Sequence, residues 1–202
     1  MNETKVREVN ADPSALGLFG LAVITLVASS QKLGLTSGVS LVLPWAMFLG
    51  AAAQLVACLK DFKHNNTFGA TAFGAYAFFW FSMGLTWMIQ HGVLGEELAA
   101  TVDTKQLGFA FLAYLIFTLF MTIGATETNK VLFIIFVLID FLFIGLTFSS
   151  FGIMEHFMHN LAAIAELLIA IFSFYGSAAN VLNNHFGRTF LPIGKPMGIF
   201  KK

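Results

Sequence analysis

Long apolar stretches separated by short polar ones make up most of the chain. Six of them reach the length of about 20 residues that a helix needs to cross a bilayer. The pattern therefore predicts an all-α integral membrane protein with six transmembrane helices, formed by residues 12–194 between polar tails at 1–11 and 195–202. The six stretches cover approximately residues 14–31, 39–60, 68–90, 106–125, 131–150 and 160–181.

Composition agrees with this pattern, and the placement of charge adds a direction. Hydrophobic residues make up 57% of the 202 residues and charged ones 11%, and the mean hydropathy is +0.80. Because Lys and Arg concentrate in cytoplasmic loops, we expect a multi-pass protein of the cell (cytoplasmic) membrane with both termini in the cytoplasm. Nine basic residues lie on the side of the termini (Lys5, Arg7, Lys60, Lys63, Lys130, Arg188, Lys195, Lys201 and Lys202) and two on the other (Lys32 and Lys105).

The first helix begins at an Asp-Pro pair. Asp12 suits the N-cap, and Pro13 suits the first helical position, where its missing N–H costs nothing. One face of this helix carries mostly small residues, so it either lines a narrow path or lets another helix pack closely. Asn66 or Thr67 is expected to cap the third helix. The face of the first helix consists of Ser14, Gly17, Leu21, Thr25 and Ala28.

Gln54, Asp140 and Glu166 are polar side chains inside apolar segments. A charge at membrane depth costs about 2.5–3.5 kcal/mol on insertion scales, so such residues are usually functional, or else neutral and hydrogen-bonded. Asp140 and Glu166 are therefore candidate proton carriers, and the alternative for each is a hydrogen bond to a neighbouring helix. Glu166 lies on a stripe that should face protein or water rather than lipid: Ala162, Glu166, Ala170, Ser173, Ser177 and Asn180.

The residue pattern gives little support to an enzyme. The sequence has no HExxH, P-loop or GxSxG motif, and the single Cys58 has no base near it in the apolar segment. His156 and His159 have a spacing that would let both touch one metal, but such a pair in an outer loop is typically solvated. We therefore expect no metal and no cofactor, and the net charge of zero gives no sign of a nucleic-acid partner. A permeation protein is the simplest hypothesis.

Several separated motifs resemble those of the acetate uptake transporter family, the succinate–acetate permease-like proteins. The opening run Asp12-Pro13-Ser14-Ala15-Leu16-Gly17-Leu18 is similar to the family's Asn-Pro-Ala-Pro-Leu-Gly-Leu signature. The resemblance extends from residue 12 to about residue 194. The other matching segments are Asn66-Thr67-Phe68-Gly69, Thr71-Ala72-Phe73, Tyr76, Phe117-Thr118-Leu119-Phe120-Met121, Val181-Leu182-Asn183, Phe186-Gly187-Arg188-Thr189 and Leu191-Pro192-Ile193-Gly194.

This resemblance implies an activity and a set of site residues. It implies proton-driven uptake of acetate, in some members succinate, by a homohexameric ring in which every subunit has its own path. It places a hydrophobic constriction at Leu21, Tyr76 and Ile139. It also matches Gln54 to a family glutamine and puts Ser173 where the family adjusts substrate choice. The implied partners are a small carboxylate, protons, the lipid bilayer and further copies of the chain.

The chain also departs from the family pattern. Asp12 replaces an Asn of the signature, and an ionised Asp12 would repel an incoming carboxylate at the cytoplasmic mouth. Asp140 replaces a neutral residue beside the constriction, Glu166 replaces a small residue, and Asn180 stands where a Glu is found. These changes bear directly on how transport is coupled to protons.

A small carboxylate crossing the bundle must lose water, so the path must supply hydrogen bonds or a proton. The helix N-termini, the Tyr76 hydroxyl, the Gln54 amide, Thr25 and the loop residues Asn65 and Asn66 are the expected donors. Proton-coupled symport is the first hypothesis. A proton-independent monocarboxylate anion channel is the second, and a membrane acetate sensor, for which the cytoplasmic parts are short, is the third.

Overall fold

The computed structural model describes residues 11–200 and contains six long helices. Most of the expected N-terminal tail, and residues 201–202, lie outside the described residues. All six helices are long and apolar enough to cross a membrane, as the sequence predicts. They are α1 (Ser14–Lys32), α2 (Val42–Lys63), α3 (Thr67–Gln90), α4 (Thr104–Ala125), α5 (Lys130–Ser150) and α6 (Glu155–Phe186), with a single helical turn at Glu96–Ala99 before α4.

Short polar side chains accept backbone N–H groups at the start of four of these helices, including Asp103, which caps α4 through the Lys105 N–H at 2.9 Å. The Asp12 carboxylate accepts the Ser14 N–H at 2.9 Å, but Pro13 occupies the N-cap position and α1 begins at Ser14, one residue later than expected. Asn66 is the residue that caps α3, because its Oδ1 accepts the Gly69 N–H at 3.1 Å. Asn129 caps α5 in the same way, through the Leu132 N–H at 2.9 Å.

The second helix is not uniform, and nothing in the sequence pattern predicts how it changes. After a first α-helical turn at Val42–Trp45 it widens into a π-helix over Ala46–Ala53 and then returns to α-helix at Gln54. Segments of this kind are rare and occur frequently at functional sites. The wide turn brings Gly50 against the Trp80 ring of α3, where a side chain on residue 50 would have no room.

The helices pack in chain order around a central axis, and the arrangement closes because α6 packs against α1. The sixth helix also packs on α5, where Gly145 lies so close to Ala162 that an added Cβ would sit 2.9 Å from the alanine Cβ. The fourth helix is the least buried of the six, with 28% of its most apolar window buried against 44–50% for the others. This confirms the expectation that α4 is the most exposed to lipid or to another subunit.

The polar stripe of α6 faces protein, as expected. Ala162, Glu166, Ala170, Ser173 and Ser177 are buried, and Asn180 is half-buried. The Ser177 hydroxyl donates to the Ala15 carbonyl of α1 at 2.7 Å. The stripe is therefore the surface through which α6 contacts the first helix.

The residues after α6 fold back over one end of the bundle, which confirms that they do not form another span. The Val131 N–H donates to the Ile193 carbonyl at 3.2 Å, and the Met197 N–H donates to the Thr126 carbonyl at 2.8 Å. The Asn183 side chain holds the start of this segment by accepting the Phe190 and Leu191 N–H groups. The returning chain thus covers the turn between α4 and α5.

Candidate functional site

Three cavities follow one another through the middle of the bundle. The inner cavity, of about 240 Å³, opens where α1 and α3 begin, and the outer cavity, of about 230 Å³, lies where α1 ends. A middle cavity of about 20 Å³ lies between them. The inner cavity is lined by Ser14, Leu18, Leu21, Gln54, Asn66, Phe68, Gly69, Ala72, Phe73, Tyr76, Thr128, Leu132, Ile135, Phe136 and Ile139.

Leu21, Tyr76 and Ile139 separate the inner cavity from the middle one. Each of the three side chains lines both cavities, and they are 7%, 5% and 4% exposed. They come from α1, α3 and α5, so three helices close this level together. Apolar narrowings of this kind block water and ions by excluding water from the pore.

A second apolar level, which sequence reasoning missed, separates the middle cavity from the outer one. It consists of Phe79, Trp80 and Leu142, which line both cavities. The Phe79 ring packs edge-on against Phe143 with centroids 5.3 Å apart. The chain contains 24 Phe, so no sequence signal distinguishes these aromatic residues from those that face lipid.

Tyr76 is held in the constriction by a hydrogen bond to α4. Its hydroxyl lies 2.9 Å from the Thr118 hydroxyl, and Thr118 donates its own hydrogen to the Tyr114 carbonyl at 2.7 Å. Because a threonine hydroxyl has one hydrogen, Tyr76 must be the donor to Thr118. The expected donation from Tyr76 to a substrate is therefore already used inside the protein.

Thr25, Gln54 and Asn66, three of the other expected side-chain donors, also give a hydrogen to a partner within the protein. Thr25, which lines the middle cavity, donates to the Leu21 carbonyl at 2.7 Å. The Gln54 amide donates to the Gly50 carbonyl at 2.7 Å, and the Asn66 amide donates to the Asp61 carboxylate at 3.1 Å. The Gln54 Oε1 atom, by contrast, is buried without a hydrogen-bond partner among the described residues.

Asp140 and Glu166 occupy different surroundings. Asp140 accepts a hydrogen bond from Thr122 of α4 at 2.7 Å, and it is not among the residues that line the three cavities. Glu166 lines the outer cavity and forms an ion pair with Lys32, with Nζ and Oε2 2.9 Å apart. His159 lies beside this pair, with its Nε2 atom 3.2 Å from the Lys32 carbonyl.

Sequence reasoning missed Lys32 as a partner of Glu166. It assigned Lys32 to an outer loop, whereas α1 extends through this residue. A signal was available, because Lys32 follows Leu21, Thr25 and Ala28 at the helical spacings of 4, 3 and 4. The same face of α1 therefore carries the constriction at its middle and the ion pair at its outer end.

Asp61 is a further residue that sequence reasoning missed. It lies just beyond the apolar stretch predicted to end near residue 60, yet it belongs to α2 and is 2% exposed. One oxygen accepts from Asn66, and the other has no partner among the described residues. A buried carboxyl group thus lies directly behind a residue of the inner cavity.

The remaining predicted residues do not line the three cavities. Pro13 is buried, and its carbonyl accepts from the Leu16 and Gly17 N–H groups. Gly17 is buried against the Phe73 ring, whereas Leu16 is 44% exposed. Thr67 is exposed at the start of α3, and Ser173 is fully buried on α6 with no partner for its hydroxyl among the described residues.

Metal ligation finds no support between residues 11 and 200. No three His, Cys, Asp or Glu side chains in this range lie close enough together to hold a metal ion. The cavities instead offer apolar walls and a few hydrogen-bonding atoms, which suits a small organic ligand.

Known proteins share both the sequence and the fold. A family model described as the GPR1/FUN34/yaaH family matches residues 2–194. The succinate-acetate/proton symporter SatP of Escherichia coli is 31% identical over 195 residues, which cover 96% of this chain and 99% of the symporter. The ammonia transport outward protein 2 of Saccharomyces cerevisiae is 28% identical over 175 residues, which cover 85% of this chain and 61% of the yeast protein.

A solved structure, that of the bacterial acetate channel SatP, has a TM-score of 0.86 to this chain at 31% identity. It covers 92% of this chain, and all of the channel chain is matched. These findings confirm the resemblance seen in the motifs. The chain belongs to the GPR1/FUN34/yaaH family and is a multi-pass protein of the cell membrane.

Proposed function

We propose that this protein transports acetate and related small carboxylates, including succinate, across the cell membrane. The observation that carries the proposal is the row of three cavities through the bundle. The first two are separated by Leu21, Tyr76 and Ile139, and the last two by Phe79, Trp80 and Leu142. The names of the similar proteins, a succinate-acetate/proton symporter and an acetate channel, support the choice of cargo. On this proposal the protein is not an enzyme.

The middle cavity is too small for acetate, so the constriction must open for the substrate to pass. The middle cavity of about 20 Å³ has room for roughly one water molecule, which needs about 10–15 Å³ by the same measure. Acetate is larger than water. Passage therefore requires the side chains of Leu21, Tyr76 and Ile139 to move apart, and the substrate to leave most of its water behind in the inner or outer cavity.

Proton coupling is the mechanism we favour, with an anion channel as the second candidate. Of the two candidate proton carriers, Glu166 lines the outer cavity but is paired with Lys32. Asp140 is bound to Thr122 away from the cavities. The channel candidate is favoured by the name of the structurally similar protein, and it predicts acetate flux that follows voltage without obligatory proton flux.

We further propose that residues 12–194 form the transport domain with both termini in the cytoplasm, and that six copies form a ring. The excess of basic residues on the side of the termini supports this orientation. The low burial of α4 supports a contact with another subunit. On this proposal the inner cavity, at the start of α1, opens to the cytoplasm.

Labelled acetate uptake into proteoliposomes tests the proposed function. Vesicles carry a pH dye, and potassium with valinomycin holds the voltage at zero. We expect saturable uptake above that of empty vesicles, faster with acid outside and accompanied by acidification of the lumen. Uptake that ignores the proton gradient but follows an imposed voltage would favour the channel, and uptake no greater than that of empty vesicles would contradict transport.

A matched pair of variants locates the path. Leu21→Trp fills the constriction, and we expect it to lower uptake by about tenfold or more, because a bulky ring in a narrow passage must be displaced at every crossing. Leu26→Trp is the control, since Leu26 lies on the same helix but is 42% exposed on its outer side. Equal uptake by the two variants would contradict a path through the constriction.

A further inference from the structure

We propose that the inner cavity binds the small acid in its uncharged, protonated form, so that the proton crosses on the substrate itself. The inference rests on the proposed function and deepens it, because it assigns a protonation state to the cargo. It is carried by the charges, donors and acceptors around the inner cavity.

The inner cavity offers no positive charge to a carboxylate. Its lining residues include none that is charged. The charged side chains that hydrogen-bond to this lining are both acids: Asp12 accepts the Ser14 N–H, and Asp61 accepts from the Asn66 amide. A carboxylate that gives up its water here would meet like charges, which makes its burial costly.

The basic groups near this end of the bundle lie off the cavity. Lys63 and His64 follow Asp61 at the end of α2, and Lys130 begins α5, where its side chain lies against Gly194. None of the three lines the inner cavity, and neither do Lys60, His185, Arg188 and Lys195 at the same end of the bundle. Lys32 belongs to the outer cavity, where Glu166 already balances it.

Most hydrogen-bond donors of the lining are also spent. The hydroxyls of Tyr76 and Thr128 have one hydrogen each, given to Thr118 and to the Ala125 carbonyl. The Gln54 and Asn66 amides each give one of their two hydrogens to a partner within the protein. The Ser14 hydroxyl at the mouth is the remaining hydroxyl donor of the lining. A carboxylate, which only accepts hydrogen bonds, would find three open donors here, the Ser14 hydroxyl and the second amide hydrogens of Gln54 and Asn66, but no positive charge to offset its own.

What the lining does offer is an acceptor. The Gly50 carbonyl accepts but cannot donate, so the NH₂ end of the Gln54 amide must face it. The orientation of the amide is thereby set, and its Oε1 is left without a partner on a fully buried residue that lines the cavity. A protonated carboxyl group donates one hydrogen bond. The Gln54 oxygen can accept it once the side chains that cover this fully buried residue shift to admit the substrate.

The helix N-termini at the cavity mouth are occupied as well. The start of α1 would attract an anion, but the chain's own Asp12 carboxylate already accepts the Ser14 N–H there. At the start of α3, the Gly69 N–H is given to Asn66 Oδ1. An incoming carboxylate would therefore compete with groups that are already satisfied.

The consequence is a simple balance of charge and protons. The carboxylate takes a proton from water on the side it leaves, and the acid crosses the constriction without net charge. It returns the proton to water on the other side. One proton accompanies one acid, and no side chain of the inner half of the bundle has to change its protonation state.

Two competitors separate the acid from the anion. Acetamide is an uncharged isostere of acetic acid that keeps N–H donors, and methanesulfonate is a small anion that stays charged at neutral pH. In proteoliposomes at pH 7, we expect acetamide to inhibit protein-dependent acetate uptake and methanesulfonate at equal concentration to leave it unchanged. Inhibition by methanesulfonate, alone or as strong as that by acetamide, would overturn the proposal.

A variant ties the effect to the Gln54 acceptor. Gln54→Met keeps the length of the side chain and removes the oxygen, and we expect the concentration of acetamide needed for half-inhibition to rise about tenfold, as for one lost hydrogen bond. Val56→Met, on the outer face of the same helix (47% exposed), is the control and keeps the wild-type value. If Gln54→Met needs the same acetamide concentration for half-inhibition as wild type, Gln54 does not accept a hydrogen bond from the ligand and the proposal is overturned.

The same uptake measurements distinguish a failure of the proposed function from a failure of the inference that the acid binds uncharged. Wild-type protein without saturable acetate uptake would overturn the proposed function together with this inference. Saturable acetate uptake that resists acetamide and yields to methanesulfonate would leave the proposed function in place and overturn only the uncharged form of the cargo.

Discussion

Tyr76 owes its position in the constriction to a short hydrogen-bond chain between α3 and α4. Its hydroxyl donates to Thr118, which in turn donates to the Tyr114 carbonyl. Around this chain the Tyr76 ring packs edge-on against Phe117 with centroids 5.8 Å apart. Both packing and hydrogen bonding therefore hold the Tyr76 ring between the inner and middle cavities.

The two ends of this chain are expected to respond unequally to mutation. Thr118→Val leaves the Tyr76 O–H buried without an acceptor, which costs about 1–3 kcal/mol in the free energy of unfolding. Tyr76→Phe costs less, because the Thr118 hydrogen stays on the Tyr114 carbonyl. Thermal unfolding in detergent measures both, and the double variant should be more stable than Thr118→Val alone. A larger loss in Tyr76→Phe would show that the hydrogen bond runs in the opposite direction.

At the scale of elements, the contact between α1 and α6 joins the constriction to the outer cavity. The face of α1 that carries Leu21 and Thr25 ends in Lys32, which pairs with Glu166 of α6. The carboxylate is 2% exposed and the lysine 15%. A buried pair contributes little net stability, but removing one partner leaves the other charge without compensation.

This contact predicts an order of stability among three proteins. Lys32→Met leaves Glu166 buried without its partner and should lower the free energy of unfolding by about 3–5 kcal/mol. Lys32→Met/Glu166→Met replaces the pair by apolar side chains and should recover most of that loss. Thermal unfolding in one detergent gives the order. A double variant that is less stable than Lys32→Met would mean that the pair itself is strongly stabilising.

For the whole molecule, the six spans and the charge distribution imply one orientation in the membrane. The turn between α1 and α2 lies at the end of the outer cavity, and the chain after α6 folds over the opposite end. The orientation rests on the positive charges, because the helices themselves are compatible with either direction.

Cysteine labelling of intact cells checks this orientation. In a Cys58→Ala background, Ser37→Cys lies in the exposed turn after α1 and Arg188→Cys lies in the exposed segment after α6. We expect a membrane-impermeant maleimide to label residue 37 and to label residue 188 only after the cells are opened. The reverse pattern would place both termini outside and turn the inner cavity outward.

The sequence by itself determined the fold class and much of its detail. Six apolar stretches of spanning length leave the backbone no alternative to helices, since every N–H and C=O must be satisfied within the bilayer. Local chemistry determined the hydrogen bonds that Asp12 and Asn66 accept at the starts of two helices, because such a bond needs only its own helix. The resemblance to a family selected Leu21, Tyr76 and Ile139, and the structure brings these three residues together between two cavities. Their role as a gate stays a proposal.

Only the tertiary structure decided which polar groups meet. Thr118 accepts the hydrogen bond of the Tyr76 hydroxyl. Lys32 forms an ion pair with Glu166, and Thr122 donates a hydrogen bond to Asp140. Each of these contacts joins two helices, so it depends on how the helices pack and turn against each other. The π-helical turn, which directs the Gln54 amide onto Gly50, likewise follows no local pattern of apolar and polar residues. Periodicity assigns a residue to a face of its own helix, but hydrogen-bond partners on other helices exist only after the bundle has assembled.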